Sequence, residues 1–278
     1  MHPIFVIDTS VISHHIINRL DECMTFNASR DFEIANKYTK LVYHWMQNLG
    51  FLSDVPPKAS VIWVKDSKPY WRSQFYPEYK HGRKPHSQQF SYAYDILQGL
   101  AKPLGFNGYE ADDVAALLYY VRNRRKNAGH MYLVTIDCDW CGFVDENTTW
   151  LNTAHYYPRI RNTPEVKAWM QNKLKREPKV KYTLREDFKA SDIWAYKVAA
   201  GDKSDNLPIG APSYLIDLMN PHPAYKLWDK SEAIRAAAQR LDTFITPRQD
   251  IALLETMMSR MGMVTPIQPF LPDVAAVA

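Results

Sequence analysis

The sequence predicts an α/β fold: a mostly parallel central sheet flanked by helices. Three observations carry that expectation. Short apolar runs at Ile4-Phe5-Val6-Ile7, Val61-Ile62-Trp63-Val64 and Met131-Tyr132-Leu133-Val134-Thr135-Ile136 read as buried strands. Stretches with helical spacing lie between them, the alternation that a parallel sheet requires. Each strand ends at or near an aspartate, namely Asp8, Asp66 and Asp137. Ligands of such sheets bind at the carboxyl ends of the strands, so these acids mark a candidate site.

The elements follow in order. Residues 31–49 carry Ile34, Tyr38, Leu41, Trp45 and Leu49 at helical spacing, stopped by Gly50. Residues 69–90 break the pattern and are dense in Tyr, Trp, Phe, Lys, Arg and Pro. Helices are expected over 91–102 and over 110–127, the second with Val114, Leu117, Leu118 and Val121 on its inner face. Thr148-Thr149-Trp150-Leu151 is a fourth strand candidate. Helices follow at 164–175, 191–200, 231–241 and 247–261, and the tail 263–278 reads as loose. The expected organisation is an α/β domain over 1–190, a small helical region over 191–262, and the tail.

Composition narrows the class. The chain has 278 residues, 46% hydrophobic and 23% charged, which suits a packed globular core rather than disorder. No apolar run approaches the roughly 18 residues of a membrane span, and the start lacks the basic leader of a signal peptide. Three cysteines argue against a disulfide framework and for a reducing compartment. Cys138 and Cys141 form a lone Cys-x-x-Cys without a second pair to complete a zinc site, and read as small buried side chains. A net charge of +4 permits a nucleic-acid partner without requiring one.

Nine acids form the candidate constellation: Asp8, Asp66, Glu110, Asp112, Asp113, Asp137, Asp139, Asp202 and Asp205. Asp137 and Asp139 are two apart, so an extended backbone would point both to one side. Glu110 and Asp113 share a helical face, and Asp202 and Asp205 repeat that spacing in a turn after Gly201. Each item has a plain alternative: acids in a first helical turn favour the macrodipole, and aspartates after strands start turns. Together they are harder to set aside, because converging carboxylates repel one another unless cations neutralise them. All-oxygen ligands suit Mg²⁺, with Mn²⁺ as a substitute. Two such ions about 3.5–4 Å apart clamp the attacking and leaving oxygens of a phosphodiester.

The motifs come in one order: Asp8 after its strand; Lys65-Asp66, then Arg72 and Tyr79-Lys80-His81-Gly82-Arg83; Tyr109-Glu110-Ala111-Asp112-Asp113; Asp137-Cys138-Asp139; Gly201-Asp202-Lys203-Ser204-Asp205-Asn206-Leu207-Pro208. This set resembles the flap endonuclease-type 5′ nuclease family, in particular its phage and bacterial 5′→3′ exonuclease and phage ribonuclease H-like members. The resemblance spans residues 4–210. It implies the PIN-like fold of that family, with an arch over about 67–100. It also implies a first ion held by Asp8, Asp66, Glu110 and Asp112, a second held by Asp137, Asp139, Asp202 and Asp205, and Asp113 near both. Lys80 and Arg83 match the family's phosphate-handling Lys and Arg, and Arg72 its arginine after the second aspartate; these three are the catalytic candidates beside the acids. Tyr70, Trp71, Tyr76, Tyr79 and Lys84 are candidates for nucleic-acid contact, since bases stack on aromatics and phosphates pair with Lys. An aromatic cluster with a solvated basic edge is the alternative for that segment.

One motif departs. Family members continue with a Gly-rich hairpin of the Gly-Val-x-Gly-Ile-Gly-x-Lys-Thr-Ala kind, which grips duplex phosphate, often through K⁺. Here Leu207-Pro208-Ile209-Gly210-Ala211-Pro212-Ser213-Tyr214-Leu215 keeps only Gly210. The helix-hairpin-helix-like element is therefore expected in reduced form, which weakens the case for K⁺. The resemblance implies a metal-dependent nuclease acting on DNA with a 5′ end or flap, or on an RNA primer in an RNA·DNA hybrid. It implies a monomer in the cytoplasm of a bacterium or a phage-infected host, with a replication role. The tail is a candidate dock for replication proteins. Two rivals are a PIN-type ribonuclease and a non-catalytic nucleic-acid binding module of the same fold; the first would lack the arch and the Gly201–Pro208 motif, and the second would have lost some of the nine acids.

Overall fold

The structure is a computed structural model and describes residues 2–17, 59–153, 159–176, 184, 186–221 and 230–242. The helices expected at 31–49 and 247–261 and the tail 263–278 lie outside the described residues. Two compact units divide the chain. One holds Met1–Val11, Ala59–His86 and Pro103–Phe244; the other holds Ile12–Lys58, Ser87–Lys102 and Ile245–Ala278.

The first unit is built on a five-stranded sheet. Its strands are β1 (Ile4–Asp8), β2 (Ser60–Val64), β3 (Met131–Thr135), β4 (Thr148–Asn152) and β5 (Arg159–Arg161). They lie in the order β2-β1-β3-β4-β5; the first four are parallel and β5 runs antiparallel. The α/β expectation therefore holds, with an antiparallel edge strand that the polar Arg-Ile-Arg run did not signal. Alternation along the strands fixes the register. Ile62, Val6, Leu133 and Trp150 pair in one row across four strands. All four belong to the core beneath helix Ala111–Asn123, whose Val114, Leu117, Leu118 and Val121 are buried as the spacing predicts. Burying each such aliphatic side chain contributes about 1.5–3 kcal/mol. On the opposite face Phe5 stacks on Tyr132, centroids 5.1 Å apart.

Eight α-helices are described: α1 (Thr9–Ile17), α2 (Arg72–Phe75), α3 (Gln88–Ala101), α4 (Ala111–Asn123), α5 (Thr163–Arg176), α6 (Ile193–Ala200), α7 (Tyr214–Met219) and α8 (Lys230–Asp242). Among these, α6, α7 and α8 lie in the same unit as the sheet. Helix α8 is tied to β2 by Ser60 Oγ, which donates to Leu241 O at 3.0 Å, and to the end of α4 by the Arg125–Asp242 ion pair at 2.7 Å. Trp194 of α6 packs directly on Gly142, where a Cβ would lie 2.5 Å from its ring. In the second unit, α3 is capped by Ser87 Oγ accepting from Phe90 N at 3.1 Å, and Phe90 stacks on Tyr94. The segment expected as an arch, about 67–100, divides between the units after His86.

Three local expectations change. Asp137 and Asp139 do not sit on extended backbone: a 3-10 helix runs over Cys138–Phe143, started by Asp137 Oδ1 accepting from Asp139 N at 2.9 Å. Helix α4 stops at Asn123, short of the expected 127, and Arg122 is buried, donating to Gly129 O and Asn147 O at 2.9–3.0 Å. Cys141 is buried, whereas Cys138 is half-buried. Among the described residues, no helix is long and apolar enough to cross a membrane.

Candidate metal centre

Strand order assembles the site. From the central β1 the chain goes to β2 on one side and to β3 on the other, so a crevice opens at the carboxyl ends where the order reverses. Asp8 ends β1, Asp66 follows β2 by two residues, and Asp137 follows β3 by two. Helix α4 delivers Glu110 as its N-cap residue, with Asp112 and Asp113 in its first turn. The turn after α6 delivers Asp202 and Asp205, closed by Leu207 N donating to Asp202 O at 2.8 Å. Gly201 makes this turn possible: its φ is +77°, and a Cβ would lie 2.9 Å from the backbone of residues 207–209.

The acids fall into two classes. Five are held by cationic side chains. Arg72 is only 2% exposed; it donates to Glu110 Oε2 at 2.8 Å and forks onto Asp113 at 2.6 and 2.8 Å. Lys80 pairs with Glu110 Oε1, and Tyr79 OH donates to Oε2 at 2.6 Å. Burial would raise the Glu110 carboxyl, but Lys80 and Arg72 outweigh it and hold the group down at about 2. Lys197 reaches Asp139, Asp205 at 2.5 Å and Asp202 at 3.3 Å. Asp202 is held below the usual range because Lys197 and Ser204 overcome its burial. Arg83 donates to Asp205 at 3.0 Å.

The other four, Asp8, Asp66, Asp112 and Asp137, make no ion pair among the described residues. Their hydrogen bonds come from neutral donors only. Asp8 accepts from Ser10 N at 2.9 Å, Ser10 Oγ at 2.7 Å and Thr135 Oγ1 at 3.0 Å. Asp66 accepts from Ala111 N at 2.7 Å. Trp140 Nε1 donates to Asp112 at 2.7 Å. All four are pushed above the usual carboxylate range. Burial is the main cause for each; for Asp66 repulsion from Glu110 adds to it and the group rises to about 6, and for Asp137 repulsion from Asp139 adds to it and the group rises to about 7. For Asp112 the repulsion comes from Asp137 and Glu110.

A family model for the 5′-3′ exonuclease N-terminal resolvase-like domain matches residues 3–175, well over half of the chain. The chain belongs to that family. A 5′-3′ exonuclease of Mycoplasmopsis pulmonis is 23% identical over 182 residues, covering 63% of this chain and 54% of the relative. The thermostable DNA polymerase I of Thermus aquaticus is 33% identical over 156 residues, covering 54% of this chain and 16% of the relative. The chain thus spans about half, or far less, of the length of these relatives. Among solved structures, a mutant T5 5′-exonuclease superposes with a TM-score of 0.48 at 13% identity, covering 94% of this chain and 98% of that one. The Rad2 catalytic core in complex with DNA substrate gives 0.45 at 12%, covering 96% and 88%.

Within this family member, some expected residues take different places. Asp113 was expected near both ions, but its oxygens are taken by Arg72, by Trp71 Nε1 at 3.1 Å and by Glu110 N at 3.0 Å, which leaves it a positioning group. Arg72 is expected as catalytic; it is buried, donates to Leu218 O at 3.0 Å and braces Glu110 and Asp113. Tyr79 was expected to stack on bases, yet it is buried against Glu110. Tyr70 leans its hydroxyl toward Asp66 at 3.4 Å. Trp71 is half-buried over Arg72, and Phe75, 61% exposed, meets its ring edge-on. Lys84 is exposed.

The basic segment is docked on the acidic turn. Tyr76 OH donates to Asn206 O at 2.8 Å, and Arg83 Nε donates to Ser204 O at 2.8 Å. Asn206 Nδ2 donates to Glu78 O and His81 O at 2.8 and 2.7 Å from a left-handed backbone, which Asn tolerates. Sequence reading missed Lys197, Trp140, Thr135 and Ser10. Lys197 left one signal: it is the sole charge in the eight-residue helix Ile-Trp-Ala-Tyr-Lys-Val-Ala-Ala.

Proposed function

We propose that this chain is a divalent-metal-dependent 5′ nuclease that hydrolyses phosphodiesters at or near the 5′ end of DNA, flaps included. RNA primers in an RNA·DNA hybrid are a second substrate, consistent with a replication role. One observation carries the reading: nine carboxylates converge at the strand ends against four cationic side chains, and four of the nine have neutral donors only. A folded chain keeps such unbalanced charge at a cost unless cations bind there.

The donor set fits Mg²⁺ or Mn²⁺. It consists of carboxylate oxygens, and ligand atoms of Asp137 and Asp139 lie, with Cys138 Sγ, within 4.8 Å of one another. Asp8, Asp66 and Asp112, with Glu110 once Lys80 leaves its Oε1, would hold one ion; Asp137, Asp139, Asp202 and Asp205 would hold the other. When bound, the ions activate water and neutralise charge on the phosphate. The protein's part is positioning. Thr135, Ser10, Ala111 N and Trp140 fix the carboxylate planes, and Arg72 with Asp113 locks the start of α4. Arg83, half exposed, and Lys80, on Glu110, offer positive charge to the scissile phosphate. Water loses a proton to solvent and adds to phosphorus, the bond to the 3′ oxygen breaks as that oxygen takes a proton from solvent, and the product carries a 5′ phosphate.

The test is incubation of end-labelled flap, nicked duplex and RNA·DNA hybrid with Mg²⁺, with Mn²⁺ and with excess chelator. Cleavage restored by either ion is expected. Robust cleavage in chelator overturns the reading.

A further inference from the structure

Lys197 stands at the centre of the second carboxylate group, and the reading above gives it no task. It projects from α6, where every neighbour in the helix is uncharged, and its side chain is 11% exposed. Its ammonium contacts Asp139 from the 3-10 helix, and Asp205 and Asp202 from the turn after α6, at 2.5 and 3.3 Å for the last two. The ammonium donates a hydrogen bond to Asp139 and lies within ion-pair distance of Asp205 and Asp202. Withdrawing such a charge from water is costly, and an apolar side chain would suit this helix better for packing. The charge is therefore the reason for the residue.

We propose that Lys197 is a tethered cation that occupies the second carboxylate group in metal-free protein and competes with the divalent ion for it. The inference rests on the metal-site reading above. Two consequences follow from charge alone. Without ions, the ammonium keeps Asp139, Asp202 and Asp205 drawn together, so the site is preassembled rather than splayed by repulsion. With an ion on the same three carboxylates, the ammonium faces a dication at contact range, and the two repel. Lysine can resolve this without backbone movement, since four rotatable methylenes let its head swing away. Ion binding thus includes the expulsion of Lys197, which raises the ion concentration needed to fill the site.

The test is calorimetric titration of Mg²⁺ and Mn²⁺, without nucleic acid, into wild type, Lys197→Met and Lys197→Gln. Met preserves stem volume, and Gln preserves hydrogen bonding without charge. Both variants should bind one ion about tenfold or more tightly than wild type, with the other ion within about twofold. In chelator their melting temperatures should fall by roughly 5 °C or more, because buried carboxylates lose their counter-charge. The gain in melting temperature on adding Mn²⁺ should exceed that of wild type. Should the Met variant fail to fold, the Gln variant supplies the same comparison. Ion uptake by wild type with equal or weaker uptake by the variants overturns the tethered-cation inference alone. Uptake by no chain overturns this inference and the metal-dependent reading together.

Discussion

Asp137→Asn separates the energetic burden of the acidic site from its chemistry. In the folded metal-free chain the Asp137 carboxyl is pushed from an ordinary 3.8 to about 7, by burial and then by Asp139. The unfolded chain therefore releases this proton first. Below about pH 4 both states hold it and no penalty exists; the penalty grows between pH 4 and 7 and is complete above 7. The gap of about three units corresponds to roughly 4 kcal/mol of lost stability at pH 8. Asn removes the charge while its Oδ1 still accepts from Asp139 N, the bond that starts the 3-10 helix. In chelator at pH 8 the variant should melt roughly 5 °C or more above wild type, and at pH 4 the two should coincide. Turnover with Mg²⁺ should fall about 10²-fold or more, since the proposed ion site has lost one charge. Melting curves by circular dichroism across pH, with a cleavage assay alongside, check both halves. A variant that melts at or below wild type at pH 8, or a stabilisation independent of pH, refutes the reasoning.

Three further substitutions probe the scaffold. Arg72→Met should cost about 3–5 kcal/mol by leaving Glu110 and Asp113 buried without their shared cation, and adding Asp113→Asn should recover part of it in a double-mutant melting cycle. Lys80 is 12% exposed on Glu110 whereas Arg83 is 49% exposed on Asp205. Lys80→Ala should therefore shift the metal titration midpoint as well as turnover. Arg83→Ala should chiefly lower turnover and reduce the salt slope of DNA binding by about one unit, and identical behaviour of the two counts against their placement. Gly201→Ala forces a Cβ to 2.9 Å from the 207–209 backbone at a φ of +77°, so it should destabilise by about 1–3 kcal/mol and depress cleavage by displacing Asp202 and Asp205, as melting and single-turnover assays would show.

The acids gathered at this site were legible in the sequence, and their counter-charges were not. Asp8, Asp66 and Asp137 could be read because each closes an apolar run, and a parallel sheet brings such ends to one edge. The core row Ile62, Val6, Leu133 and Trp150 was legible for the same local reason, a short apolar period. The 3-10 helix after β3 was misjudged because a two-residue spacing of acids suits a strand, while a capping bond within the same three residues suits a turn, and the capping bond prevails. Partnership between charges has no such local mark. Arg72 finds Asp113 across 41 residues, Lys197 finds Asp139 across 58, and Arg83 finds Asp205 across 122. These pairings divide the nine acids into those balanced by the protein's own cations and those held by neutral donors alone. That division determines where an external cation gains most. On the proposed metal-site reading, the strongest demand falls at Asp8, Asp66, Asp112 and Asp137, and Lys197 competes at Asp139, Asp202 and Asp205. Motif order could nominate all nine acids as ligands, but only the distances between side chains distinguish an acid that awaits an ion from one, such as Asp113, whose oxygens are already taken.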